Sequence, residues 1–398
     1  MKYTLQLIIL ILLCSEINYA QEFTLTSSRE KSAYGLPCTD FYFDVAVNNI
    51  PIRKVKVRRF LPSNSKGTLV LTAGGTGKSS YLATYGIESQ IMIDSLYKQK
   101  FAIWDIMYED ENGWSEHCEG IGSYHNAVQI YSELVRFLYD NYFENKDLVF
   151  ATGNSGGSFQ IAFGLAKFGM ESIFDMVILT GGPPISDLRK GVFGDNSDLE
   201  KWPNGVVGGF ALTDYLMGWT EERYCYNRMA PDSIINILDT VSLVSSVSER
   251  DYQYKTLVNF VQSNDPTNAH HQARLYYNEI ESGKMWYDLD LDIHAVPSSQ
   301  EGAKKIKDLI IQFEEDSKTK ITSVIDSNLK VFPNPFNNRL FVDANNDVVE
   351  IEVVNALGQT VVKTTVTELN TSRWSAGLYT VTITKSDGHT IVKRLIKE

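Results

Sequence analysis

The sequence predicts an α/β domain built on a mostly parallel sheet with helices on both faces, followed by a small all-β sandwich. Three observations predict it. Short, continuously apolar runs alternate with segments of helical periodicity between about residues 67 and 311. A Gly-x-Ser-x-Gly turn, Gly153-Asn154-Ser155-Gly156-Gly157, stands between one such run and a helical segment. Beyond residue 328 the pattern changes to short strands divided by turn residues.

Taken in order, residues 1–20 read as a signal peptide. Lys2 gives a positive start, Leu5 to Leu13 are apolar apart from Gln6, and Asn18-Tyr19-Ala20 offers a small residue before Gln21. The stretch is too short to span a bilayer as a mature helix. Cys14 follows Leu13, where a lipid-anchor motif wants Gly or Ala. The mature chain is therefore expected to be exported and to carry no transmembrane segment.

Next come Phe41–Val45 and Ile52–Val57, read as a leading antiparallel hairpin; the second alternates with period two. The runs Thr68–Thr72, Phe101–Met107, Asp147–Thr152 and Met176–Thr180 follow, with Ile130, Leu134, Phe137 and Leu138 at helical spacing between them. Strands apolar on both faces imply a parallel sheet covered by helices. Residues 185–250 interrupt the alternation with Trp202, Trp219, Tyr224 and Tyr226, and read as a lid or a surface insertion. Residues 21–313 thus form the first domain, 314–327 a charged, Ser/Thr-rich linker, and 328–398 the β-sandwich.

Composition narrows the function. Of 398 residues 43% are hydrophobic and 22% charged, and the net charge is -12. An acidic chain without a basic cluster repels phosphates, so no nucleic-acid partner is expected. Without Cys14, three cysteines remain. Cys118–Cys225 is the favoured bridge, and three unpaired thiols are the alternative.

The Ser155 turn carries the chemistry. It follows the run 148–152 directly and precedes Phe159–Ala166, so Ser155 tops a strand at a helix N-terminus, where amides favour developing negative charge. A nucleophilic serine needs a base, and the base an orienting acid. Among six histidines His294 is the best base, since it follows the strand-like Met285–Leu289 and precedes a helix near Ser299. Asp265, just past the run Leu257–Val261, is the acid, at a strand end where ligand chemistry collects. Backbone amides of Gly156 and Gly75 are the expected oxyanion donors, Gly75 lying in the glycine loop after the first parallel strand.

Other motifs fail on a residue. Gly77-Lys78-Ser79 ends like a phosphate-binding loop, but Thr72 stands where its first glycine belongs. Asp288, Asp290 and Asp292 lack a calcium loop's glycine, Ile293 taking its place. His270-His271 lacks a zinc motif around it. No metal or other cofactor is expected.

From Gly153–Gly157, the Asp265 turn and the segment His294 with Pro297 and Glu301-Gly302, residues 67–311 resemble the α/β-hydrolase superfamily. The resemblance implies Ser155 as nucleophile, His294 as base and Asp265 as acid. Ala73 departs from it, standing where many lipases place histidine, which leaves the backbone donors untouched. Phe332-Pro333-Asn334-Pro335, Val353–Gln359, Ser375–Tyr379 and Lys393–Lys397 resemble the sorting domain of type IX secretion cargo. That implies the type IX machinery as a partner and export to the cell surface or medium. The expected activity is serine hydrolysis of a small-molecule or polymer-linked ester. A peptidase or amidase on the same fold and a non-catalytic surface binding protein are the alternatives.

Overall fold

The computed structural model describes residues 21–397 apart from 48–49, 117–122, 206, 246–247, 253–255, 323–329, 334, 344–347, 356–358 and 387–389. The leader, Cys14, His117, Cys118 and His389 lie outside the described residues. The chain divides into two compact units, residues 1–309 and 310–398.

The first unit holds a nine-stranded sheet. Its antiparallel edge is β1 (Glu22–Ala33), β2 (Leu36–Val47) and β3 (Ile50–Phe60). The expected hairpin is β2–β3, and the structure adds β1 outside it. β1 escapes a pattern search because nearly all its residues face solvent. Its run of Thr, Ser and charge offers no apolar alternation. Parallel strands follow: β4 (Gly67–Thr72), β5 (Phe101–Tyr108), β6 (Val149–Asn154), β7 (Met176–Thr180), β8 (Leu257–Ser263) and β9 (Lys284–Leu289). β4 to β7 are buried throughout, which is why they read as unbroken apolar runs.

The sheet order is β1-β2-β3-β5-β4-β6-β7-β8-β9. The chain enters the parallel part at β4, moves one way to β5, then returns past β4 to β6 and beyond. The connections after β4 and β6 therefore run in opposite directions, opening a crevice at their carboxyl ends. Helices α1 (Tyr81–Lys98), α2 (Ser123–Asn141), α3 (Gly156–Phe168) and α8 (Ala269–Glu279) make crossovers, and α9 (Gln300–Thr322) follows β9, its residues divided between the two units. Between β7 and β8 the predicted insertion is helical: α4 (Leu188–Phe193), α5 (Val207–Met217), α6 (Tyr224–Asn227) and α7 (Asp232–Val241).

Two expectations need correction. The linker was expected from residue 314, yet α9 continues to Thr322. Its charged residues sit at i, i+4 spacings that support a helix, as in the bond from Gln312 Nε2 to Asp316 Oδ1 at 2.9 Å. Cys225 is a buried free thiol, so the favoured Cys118–Cys225 bridge is not formed. It opens the short helix α6, where its amide donates to Asp214 Oδ1 at 2.8 Å, within the core of the insertion. Cys38 is also free and buried.

The second unit contains two antiparallel sheets, as expected for a small sandwich. One joins β10 (Lys330–Phe332), β11 (Arg339–Asp343) and β14 (Glu368–Asn370). The other joins β13 (Thr360–Thr364), β12 (Val348–Asn355), β15 (Gly377–Lys385) and β16 (Thr390–Lys397). Leu340, Ile351, Val353, Val381, Ile383 and Leu395 form its core.

Asp40 on β2 stitches the antiparallel edge of the first unit. Its buried carboxylate meets Arg58 Nε at 2.7 Å, Lys31 Nζ at 2.6 Å and Lys56 Nζ at 3.0 Å, from the strands on either side. Burial opposes its ionisation, but these bonds outweigh burial and hold the carboxyl well below the usual carboxylate range. A carboxyl lowered in the folded state stabilises above the unfolded pKa of about 3.9, and this is lost as pH falls. Asp40→Asn is expected to lower stability by about 3 kcal/mol at pH 7, with the deficit shrinking below pH 4 or so. Urea unfolding of both proteins at neutral and acid pH checks it.

Candidate active site

Ser155 sits between β6 and α3, in the crevice that the topology opens. Its backbone is held at φ 54 and ψ -119, a left-handed setting unusual for a residue with a side chain. The surroundings over-determine it. Its amide donates to the Thr180 carbonyl at 3.0 Å, and its carbonyl accepts from Phe159 N at 2.9 Å and Ser158 Oγ at 2.7 Å. Gly153 and Gly157 let strand and helix meet. A Cβ on Gly157 would overlap the Thr72 carbonyl, and one on Gly153 would lie 2.5 Å from the Gly157 carbonyl carbon.

Asp265 and His294 arrive on neighbouring loops after β8 and β9. The loops are zipped together: Asn264 N donates to Leu291 O at 2.8 Å, Asn264 Nδ2 to Asp292 Oδ1 at 2.9 Å, and Ser263 Oγ to the Ile293 carbonyl. His294 Nδ1 bonds Asp265 Oδ2, and the Asp265 carboxylate is buried while the imidazole is about one-third exposed, at 32%. Asp265 Oδ1 accepts from Thr267 N and Thr267 Oγ1, both at 2.8 Å, and Asp265 N donates to His270 Nδ1 at 3.3 Å. Burial disfavours the Asp265 charge, but the bonds from His294 and Thr267 prevail and keep its pKa below the ordinary value. Burial also lowers His270, which suits a ring nitrogen that accepts.

The glycine loop after β4 forms the other wall. Gly75 has φ +61 with open space around it, so the backbone itself faces the crevice. Gly74 N donates to the Tyr85 hydroxyl at 2.8 Å and Gly77 N to Gly74 O at 3.2 Å, while Tyr108 N donates to Gly77 O at 2.9 Å. Trp114 holds the middle, its Nε1 donating to Gly75 O at 2.7 Å and its amide to Thr76 O at 3.0 Å. Among the described residues, neither the Gly75 amide nor the Gly156 amide donates a hydrogen bond. Trp114 is itself anchored by fully buried Arg53 on β3, whose guanidinium bonds the Gly113 and Glu116 carbonyls and Asp110 at 2.9 Å.

Ser155, Gly156, Gly75, Thr267 and His294 line one cavity of about 380 Å³. The insertion between β7 and β8 completes its wall with Trp202, Gly209 and Leu212. All five sequence-expected residues therefore converge, Asp265 from behind His294.

Sequence reasoning missed three contributors. Trp114 and Asn154 act through contacts with segments distant in sequence, whereas Thr267 bonds Asp265 only two residues away, and neither the serine motif nor the Asp265 turn discloses these roles. The Asn154 carboxamide, its nitrogen turned toward them, donates to the His294 carbonyl at 3.2 Å and Thr180 Oγ1 at 2.9 Å, tying the serine turn to the histidine loop. Among the described residues no group of three or more His, Cys, Asp or Glu could hold a metal ion.

The strand order, the serine turn at the end of β6 and the loops after β8 and β9 define an α/β-hydrolase fold. Solved structures similar to it include an esterase from Pyrococcus furiosus, at 13% identity and a TM-score of 0.46, over 74% of this chain and 99% of that one. Candida antarctica lipase A in its closed state is similar at 11% identity and 0.47, over 71% and 82%. A puromycin-hydrolyzing peptidase from Mycobacterium tuberculosis is similar at 12% and 0.45, over 75% and 40%. No curated protein matches the chain in sequence. Residues 330–398 match the secretion system C-terminal sorting domain. The chain is accordingly type IX secretion cargo, exported to the cell surface or medium. Among the described residues no helix is long and apolar enough to cross a membrane.

The serine turn is tight enough to test by volume alone. Gly157→Ala is expected to destabilise the first unit by about 3 kcal/mol, since the new methyl can be relieved only by moving β4 or α3. A urea midpoint unchanged from wild type would contradict the packing.

Proposed function

We propose that this protein is an exported serine hydrolase that cleaves carboxylic esters through an acyl-enzyme. The observation that carries the reading is the bond between the buried Asp265 carboxylate and His294 Nδ1 beside the strained Ser155. With Nδ1 engaged, Nε2 is the nitrogen that takes the Ser155 proton as Oγ attacks the ester carbonyl. Asp265 holds the tautomer and stabilises the imidazolium that forms. The Gly75 and Gly156 amides donate to the oxyanion, in a place where preorganised donors are most effective. Collapse of the tetrahedral intermediate breaks the carbon–oxygen bond, His294 protonates the departing alcohol, and the acyl group remains on Ser155. Water, deprotonated by His294, repeats the attack and releases the acid. No step calls for a cofactor.

The Trp114 bonds support a positioning role, because a pinned Gly75 carbonyl leaves the adjoining amides little freedom to turn from the oxyanion.

Purified mature protein is expected to hydrolyse p-nitrophenyl butyrate and to be labelled by a fluorophosphonate. Ser155→Ala should lose the labelling and at least about 10⁴-fold in kcat, and Asp265→Asn a comparable factor in kcat. Wild type that neither turns over nor labels would leave a binding protein as the reading. Trp114→Phe keeps an aromatic side chain but loses the bond to Gly75, and is expected to lower kcat roughly fivefold to tenfold. Deleting residues 330–398 should leave the hydrolase with the cells rather than on their surface or in the medium, as activity in the separated fractions will read.

A further inference from the structure

We propose that the cavity beside Ser155 is a size-limiting chamber for a neutral, apolar acyl group of short to medium length, and that Trp202 sets its depth. This rests on the hydrolase reading above and names the substrate class for the same site.

The chamber's chemistry follows from its lining. Its large side chains are Trp114, Pro184, Ile185, Trp202 and Leu212, and among the described residues that line it none is Asp, Glu, Lys or Arg. Apart from His294, the polar side chains around it are the hydroxyls of Thr76, Ser115, Ser155 and Thr267. A charged acyl group placed there would lose its hydration and meet no counter-charge. Capacity follows from the volume. At about 380 Å³ the cavity lies near the lower end of the roughly 300–1,000 Å³ spanned by small-molecule pockets. A cavity at that end of the range suits an acyl group of short to medium length better than a palmitoyl tail.

The depth is preset because Trp202 is held from several sides. It is 3% exposed. Its Nε1 donates to the Pro184 carbonyl at 3.0 Å, its amide to Gly191 O at 2.8 Å, and its own carbonyl accepts from the Arg228 guanidinium. The ring packs on Phe210 at 5.5 Å between centroids and against Gly191, where a Cβ would come within 2.9 Å of it. Leu212 on α5 is only partly buried and stands in the same wall, so it tunes the space without holding the fold.

The test is a series of p-nitrophenyl esters from acetate to dodecanoate, with the hemisuccinate as a charged analogue, on the full mature chain. Wild-type kcat/KM should rise about fourfold per methylene up to a maximum between butyrate and octanoate. It should then fall at least tenfold by dodecanoate, and the hemisuccinate should run at least a hundredfold below the butyrate. Trp202→Ala should move the maximum two or more carbons longer. Leu212→Phe, which adds volume at a tolerant position, should move it shorter and keeps the test alive if Trp202→Ala fails to fold. A wild-type maximum at dodecanoate, a well-hydrolysed hemisuccinate, or an unchanged Leu212→Phe profile overturns the chamber while fluorophosphonate labelling of Ser155 still upholds the hydrolase. Absence of that labelling in wild type overturns both.

Discussion

Everything around the crevice depends on one backbone constraint, the left-handed setting of Ser155 between β6 and α3. A residue with a Cβ does not rest there unaided, and a strained setting of order 1–3 kcal/mol persists only where packing leaves no alternative. The packing is visible on every side. Gly157 lies against the Thr72 carbonyl of β4, the Ser155 amide is taken by Thr180 of β7, and Asn154 reaches across to the His294 carbonyl. The three central parallel strands thus converge on one residue. Relaxing the turn would move the serine, and it would also loosen the hydrogen bonds that locate the histidine loop.

The loops after β8 and β9 show how a sheet can supply precision to segments that are not sheet. β8 and β9 end in register, Ser263 facing Leu289, so the loops begin side by side. Asn264 and Ser263 then continue the pairing outward as side-chain and backbone bonds to Leu291, Asp292 and Ile293. By the time Asp265 and His294 meet, little freedom is left for either. Thr267 and His270 use what remains of Asp265, its second oxygen and its amide, so the buried carboxylate has partners on both sides. A buried charge is tolerable only under that condition.

Reading these features from sequence succeeded where one segment carries its own signal. The strand runs and the Gly153–Gly157 turn are local patterns, and the sheet assembles them without altering them. β1 was missed because an exposed edge strand has no apolar period to display. The linker boundary was placed early because Glu, Asp, Ser and Lys read as solvated coil, whereas spaced along a helix the same residues support one another. Trp114, Asn154 and Thr267 escaped for a third reason. Trp114 and Asn154 bond partners many residues away, Thr267 bonds Asp265 close by, and one chain without its fold does not disclose any of these pairings.

This division also explains why chemistry is easier to infer here than substrate. The candidate residues Ser155, Asp265 and His294 stand just beyond strand ends, where register and close glycine contacts narrow the arrangement. The chamber wall is drawn in part from the helical insertion between β7 and β8, where Trp202, Phe210 and Arg228 pack on one another. An insertion can change length and side chains without disturbing the sheet, because both its ends return to strands already paired with each other. Selectivity placed there is free to vary while the serine turn is not. On the proposed reading, the size and polarity of the ester cleaved are set by Trp202, Leu212 and Ile185 rather than by Ser155, Asp265 and His294.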